Sequence, residues 1–184
     1  MAVGIDISKQ VISTLHVNVI CKNWQDTSSL APCTHEETDT RIFLHLEDAV
    51  QHGHNRVLIR TVDNDVVVLA VASAQRLDLA ELWIAFGVGK NFQFFVAHEI
   101  AKVLGCDQCI ALPMFHAFTG CDTVSFFGGK GKKTAQDTWK AYKEVTPTFC
   151  ALATRPTPQT VQEWLGPLER FVILLYDRSV ARSV

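Results

Sequence analysis

The chain has 184 residues, a formal net charge of −2 at pH 7, 48% hydrophobic residues and 20% charged residues. This length suffices for one compact domain with its own core, and the composition excludes a disordered chain. The near-neutral charge excludes a histone-like or arginine-rich binder but is compatible with a local basic patch. The longest apolar run, Val66 to Ala72, is too short for a membrane span, and the first residues lack signal-peptide character.

Six cysteines lie at positions 21, 33, 106, 109, 121 and 150. We expect reduced thiols in an intracellular protein, because a core of this size needs no disulfide bridges. Cys106 and Cys109 form a single C-x-x-C pair, whereas zinc requires four ligands and only His116 and Cys121 lie near in sequence. We interpret the pair as apolar thiols on a helix rather than as a zinc site.

The N-terminal third predicts one strand followed by one helix. Residues 11–20 alternate loosely between apolar and polar side chains, which is typical of a strand. Thr34 and Glu37 form a capping box that predicts the start of a helix. Gly53 predicts its end.

The middle of the chain alternates between strands and helices. Strands are predicted over RVLIRT (56–61), ELWIAF (81–86) and residues 92–96, and a short helix over residues 98–104 ends at Gly105. This alternation across residues 34–100 indicates an α/β domain with a mainly parallel sheet.

The C-terminal third predicts helices. Residues 111–119 form one helix interrupted by Pro113, residues 134–143 form another, and an apolar stripe between Trp164 and Leu175 forms a third. We therefore divide the chain into an N-terminal strand and arm (1–33), a core (34–143) and a C-terminal helical segment (144–184).

Acidic residues lie where parallel α/β sheets usually bind ligands. Asp63 and Asp65 directly follow the strand at 56–61, and Glu37 and Asp39 lie in the first turn of the first helix. Converging carboxylates repel one another unless a divalent cation such as Mg²⁺ or Mn²⁺ lies between them. The alternative is that these acids serve only as a helix cap, turn formers and partners of the helix dipole.

A basic, glycine-rich segment follows the third predicted helix. Between residues 130 and 143 there are five lysines and one aspartate, a local net charge of +4. Glycines allow backbone N–H groups to approach a phosphate, and lysines attract a nucleic-acid backbone. The segment is not a Walker P-loop, since Lys133 follows Gly131-Lys132. The alternative is a flexible, solvated loop.

Together these motifs resemble the flap-endonuclease-like 5′ nucleases, the branch of PIN-like domains that includes the XPG and Asteroid proteins. The resemblance covers residues 34–143 and rests on four motifs in the family's order, which are HEETDT, TVDND, FQFFVAHEIAKVLG and FHAFTGCDTVSFFGGKGKKTA. It implies a three-layer α/β/α PIN-like domain with a mainly parallel sheet, followed by a helix–hairpin–helix region and C-terminal helices.

The resemblance also implies a site and partners. It implies two Mg²⁺ or Mn²⁺ ions held by Glu37, Asp39, Asp63, Asp65 and Asp122, the first four of these also being catalytic. It further implies that the glycine-rich segment binds structured DNA, with a monovalent cation at the hairpin. The residues that the resemblance assigns to DNA binding are Gly128, Gly129, Lys130, Gly131, Lys132, Lys133 and Thr134. We expect an intracellular location, nuclear rather than cytoplasmic, and no membrane partner.

The chain departs from the family ahead of the acidic helix. Family members carry another metal-binding aspartate on a first strand and an arching helical region, whereas only 33 residues precede Thr34 here. The first hypothesis is a metal-dependent, structure-specific nuclease for DNA or RNA. Because these elements are missing, we interpret the chain as an incomplete copy of the domain, with a protein partner or a missing N-terminal region. The alternative is a catalytically inactive PIN-like module that binds nucleic acid or protein, and the enzyme question stays open. We interpret His116 as a packing or surface histidine.

Overall fold

The computed structural model describes residues 9–23, 26–33, 38–121, 126–154 and 157–177. Within these ranges the chain forms five strands and seven α-helices. It divides into two compact units, one ending at Asn55 and the other beginning at Arg56. None of the described helices is long and apolar enough to cross a membrane.

The first unit begins with a β-hairpin. Strands β1 (Val11–Leu15) and β2 (Asn18–Lys22) pair antiparallel, with Leu15 opposite Asn18. The single strand predicted over residues 11–20 is therefore wrong. The chain turns at His16, which adopts a left-handed conformation with φ 53°, and the apolar alternation continues through this turn without marking it.

Helix α1 (Thr38–Gln51) completes the first unit. The Arg41 guanidinium donates to the carbonyl oxygen of Leu30 at 2.5 Å, and Ser29 hydrogen-bonds to the Asp48 carboxylate, so two contacts attach the helix to the preceding loop. Gly53 ends the helix as predicted, with φ 84°. The capping-box residues Thr34 and Glu37 lie outside the described residues.

The second unit contains a three-stranded sheet in the order β3-β4-β5. Its strands are β3 (Arg56–Thr61), β4 (Glu81–Phe86) and β5 (Gln93–Val96). Strand β3 pairs parallel with β4, and β4 pairs antiparallel with β5. The α/β class is confirmed, but the sheet is mixed rather than mainly parallel.

The connection lengths explain the mixed sheet. Helix α2 (Asn64–Ala74) lies between β3 and β4 and provides the long crossover that a parallel pair needs. Only six residues separate β4 from β5, which is enough to reverse the chain but too few for a crossover. Gly87 has φ 85° in this turn, and a Cβ there would collide with the carbonyl oxygen of Asn91, so the turn requires glycine.

The remaining helices follow the sheet. They are α3 (Ala97–Leu104), α4 (Cys106–Phe118), α5 (Lys132–Ala141), α6 (Thr146–Ala153) and α7 (Pro158–Tyr176). Helix α4 begins five residues before the predicted start at Ala111. Gly105, with φ 78°, is the single residue between α3 and α4. Helix α6 was not predicted, since its sequence TPTFCALA contains no charged residue and shows no alternation of apolar and charged faces.

An aromatic core joins the four C-terminal helices. Phe115 of α4, Trp139 of α5, Phe149 of α6 and Phe171 of α7 are all buried. The ring centroids of Phe115 and Phe149 lie 5.8 Å apart, and those of Phe149 and Phe171 lie 5.7 Å apart. This packing holds the start of α5 near the end of α4, which is where the candidate site lies.

Candidate functional site

The site begins directly beyond the carboxyl end of β3. Asp63 is the N-cap of α2 with extended backbone angles, and its Oδ1 accepts a hydrogen bond from the Asp65 N–H at 2.8 Å. The Asp63 N–H in turn donates to the Thr61 hydroxyl at 3.0 Å. Asp63 therefore has a structural role as a helix cap, and this geometry fixes Asp65 in the first turn of α2.

Asp65 is paired with a residue from another helix. Its Oδ1 lies 2.7 Å from Nε2 of His116 on α4, and the two side chains are 35% and 18% exposed. An ionised carboxylate only accepts hydrogen bonds, so Nε2 carries the hydrogen and a neutral ring leaves Nδ1 as an acceptor. The pair becomes an ion pair when the imidazole is protonated.

Lys132, the first residue of α5, lies beside this pair. Its Nζ donates to the carbonyl oxygen of His116 at 2.5 Å and to the Thr119 hydroxyl at 2.9 Å. Burial lowers the pKa of Lys132 from its usual value, an effect that nearby Cys121 and Asp65 partly oppose. The ammonium group thus cross-links the end of α4 to the start of α5 close to an acidic side chain.

These groups line one open pocket of about 610 Å³. Its wall combines acidic, basic and imidazole side chains with the polar start of two helices. The lining residues that carry this chemistry are Asn64, Asp65, His116, Cys121, Lys132 and Lys133. Such a mixture suits an anionic ligand that also carries or requires a cation.

The predicted metal ligands are only partly placed at this pocket. Asp63 and Asp65 share one helix start, whereas Asp39 belongs to α1 in the first unit. Glu37 and Asp122 lie outside the described residues. Asp65 lines the pocket and Asp63 caps the same helix, and their carboxylate oxygens are the hard donors that Mg²⁺ and Mn²⁺ prefer. Over the residues that the structure covers, no group of three His, Cys, Asp or Glu side chains is arranged to hold a metal ion.

The segment predicted to bind DNA lies against two different parts of the structure, helix α7 and the charged pocket. Lys130 lies over the Tyr176 ring at 5.3 Å, and the Tyr176 hydroxyl donates to the Gly128 carbonyl at 3.2 Å, so this part contacts α7. Gly129 turns the chain with φ 71°, and Gly131 precedes α5 as its N-cap. Lys132 and Lys133 then line the pocket. Thr134 lies in the first turn of α5, where its carbonyl accepts a hydrogen bond from Thr138.

His116 is the site residue that sequence reasoning did not select. It lies 51 positions from Asp65, and no spacing rule relates a residue on one helix to a partner on a different helix that far away. The sequence signal available was its position on the helix leading into the basic segment.

All six cysteines belong to the described part of the chain, and each is a free thiol, as expected. Burial raises the pKa of the Cys109 and Cys150 thiols, which favours their protonated form.

Comparison with known protein families, with characterised proteins and with solved structures finds no match for this chain.

Proposed function

We propose that the chain is a metal-dependent, structure-specific nuclease domain of the flap-endonuclease-like type, which hydrolyses phosphodiesters in DNA, with RNA as the alternative substrate. The observation that carries this proposal is the Asp65–His116 pair at the carboxyl end of β3, in one pocket with Lys132. A carboxylate oriented by an imidazole, next to a lysine, provides groups for both a cation and a phosphate.

The proposed roles follow from the contacts. Asp63 and Asp65 would hold Mg²⁺ or Mn²⁺ through their carboxylate oxygens. Glu37, Asp39 and Asp122 stay metal ligands implied by the resemblance alone. A bound ion of this kind supplies Lewis acidity and an activated water. His116 is a positioning residue that orients Asp65, and Lys132 and Lys133 bind the phosphate.

The finer parts of the resemblance belong to the same proposal. They are the three-layer PIN-like architecture, the helix–hairpin–helix contact with DNA and its monovalent cation, a second metal ion, a nuclear location and a protein partner. The parallel β3–β4 pair and the position of Asp63 and Asp65 after β3 support the PIN-like interpretation. The glycine turn at Gly129 before α5 supports the hairpin.

Cleavage of labelled flap, duplex and single-stranded DNA and of RNA, in Mn²⁺ and in EDTA, tests the proposal. We expect Mn²⁺-dependent cleavage that falls at least about 100-fold in Asp65→Asn, because a metal-binding carboxylate is lost. Asp78→Asn is the matched control, since it removes the same charge from an exposed residue in the loop between α2 and β4. Unchanged cleavage by Asp65→Asn overturns the site.

The second candidate is a catalytically inactive module that binds nucleic acid. It is favoured by Lys132 and Lys133, which line the pocket and whose ammonium groups can attract phosphate without any metal. This candidate predicts binding that persists in EDTA, weakens with salt and falls in Lys132→Ala/Lys133→Ala, with no cleavage in Mn²⁺. If the pocket instead binds a partner protein and no nucleic acid, added DNA would neither bind the chain nor displace that protein.

A further inference from the structure

A second, apolar pocket lies between helices α2, α3, α4 and α5. Its volume is about 300 Å³, and its walls include the aromatic side chains Phe95, Phe115 and Trp139. The indole N–H of Trp139 donates to the Thr146 hydroxyl at 2.9 Å, and the Trp139 and Phe115 ring centroids are 4.4 Å apart. The aromatic wall is thus held in place before any ligand binds.

This apolar pocket is adjacent to the charged one. Val67, Val68, Phe115 and Gln136 line both pockets. The charged pocket offers Lys132 and Lys133 to an anion, and the apolar pocket offers aromatic walls to a flat ring. A nucleotide has this division between an anionic phosphate and a planar base.

The apolar pocket also carries polar groups at its edge. Gln108, Gln136 and Lys140 line it together with the apolar side chains. Amide groups both donate and accept hydrogen bonds and therefore suit the edges of a base. A volume of about 300 Å³ lies at the lower end of small-molecule sites, which suits one base rather than a base pair.

We infer that the apolar pocket binds one unpaired nucleobase of the strand whose phosphate lies at Lys132 and Lys133. This inference rests on the proposed function and refines it, because a base paired within a duplex cannot enter the pocket without leaving its stack. The substrate is therefore a nucleic acid with a single-stranded or extruded nucleotide next to the phosphate that the lysines hold.

Calorimetric titration of the full chain with two ligands, in Mg²⁺, tests the inference. Deoxyadenosine 5′-monophosphate contains the base, and 2-deoxyribose 5-phosphate lacks it. We expect the nucleotide to bind about tenfold more tightly, the size of effect that base–aromatic contact produces. Equal affinities overturn the inference while leaving the phosphate site intact, and binding of neither ligand overturns the inference together with the phosphate site.

Two pocket-filling variants locate the base. Leu112→Trp fills the pocket from α4, and Ile100→Trp fills it from α3. Ile100 is the more exposed of the two positions, so the added indole ring perturbs folding less there. Each should bring the affinity ratio close to one and leave deoxyribose 5-phosphate binding unchanged. Ile110→Trp on α4, at a 44% exposed position outside the pocket lining, is the control that keeps the ratio. A ratio that survives both filling variants places the base elsewhere and overturns the inference.

Discussion

His116 Nε2 lies 2.7 Å from Asp65 Oδ1, although the two residues are 51 positions apart in the sequence. The contact joins the first turn of α2 to the last part of α4, and α2 is the crossover that brings β4 alongside β3. Because Asp63 caps the same helix, the position of the Asp65 carboxylate is fixed by its own backbone and by a partner from another element.

The Asp65–His116 pair should show a measurable coupling energy. His116→Gln and Asp65→Asn should each lower the free energy of unfolding by about 1 kcal/mol, since the pair is only partly exposed and at least one partner carries charge. The double variant should lose less than the sum of the two, by about 0.5 kcal/mol or more. Urea unfolding at pH 7 measures all three, and strictly additive losses would contradict the pairing.

Lys132 and Lys133 should contribute to the salt-dependent part of the affinity for nucleic acid. Both Lys132 and Lys133 line the charged pocket. Replacing both with alanine should weaken binding of a labelled oligonucleotide and reduce the slope of log affinity against log salt by about 1.5, because each phosphate contact releases a counterion. Fluorescence anisotropy between 50 and 200 mM salt, as an approximate range, measures the slope. Lys90→Ala, at an exposed position in the turn between β4 and β5, removes the same charge outside the pocket and should leave the slope unchanged.

Oligonucleotide binding should weaken at alkaline pH through Lys132. Burial lowers the pKa of this amine, so it loses its proton and its attraction for phosphate at a lower pH than an ordinary lysine. Lys132→Arg keeps its charge throughout this range. We expect the affinity of the native chain, relative to Lys132→Arg, to fall as the pH rises toward the usual lysine value. Lys90→Arg controls for the chemistry of the replacement, and parallel pH profiles would show that Lys132 does not contact the ligand.

The buried thiol of Cys109 should make stability depend on alkaline pH. Cys109 is fully buried, its Sγ donates to the Ala101 carbonyl at 3.6 Å, and burial raises its pKa. In the unfolded chain the thiol ionises at its ordinary value near 8.5, whereas the folded chain keeps the proton to higher pH. Above about pH 8.5 the folded state therefore binds more protons than the unfolded state, and stability falls as the pH rises.

Urea unfolding of Cys109→Ala under reducing conditions measures this effect. The variant should lose stability at pH 7 through the missing sulfur contacts but show a shallower decline between about pH 8 and 10. Cys21→Ala, at a half-exposed position of the hairpin, controls for removal of a thiol. An identical decline in native chain and Cys109→Ala would assign the pH dependence to other groups.

The aromatic core should dominate the stability of the helical part. Phe149 is fully buried against Phe115, Trp139 and Phe171. Phe149→Ala should lower the free energy of unfolding by about 3–5 kcal/mol, the range for removing a buried ring. Phe94→Ala, which deletes the same ring at a 55% exposed position of β5, should cost far less. Thermal unfolding followed by circular dichroism compares them, and similar losses would contradict the core assignment.

The sequence by itself determined the local elements. The apolar runs RVLIRT and ELWIAF predicted β3 and β4 with their observed bounds. Gly53 and Gly105 predicted the ends of α1 and α3, because each adopts the positive φ that other residues avoid. The apolar stripe between Trp164 and Leu175 predicted α7, since a helix that packs on one face repeats its apolar residues with the helical period. All of these depend on interactions within a few residues.

Only the tertiary structure decided which distant groups meet. The antiparallel direction of β5 depends on the six-residue connection between β4 and β5, and helix α6 depends on the shared aromatic core rather than on its own eight residues. His116 contacts Asp65, and Lys132 links the His116 backbone to the start of α5, through the packing of α2, α4 and α5. Local propensity has a range of a few residues, whereas these contacts join positions far apart in the chain, so the pocket exists only once the helices have packed.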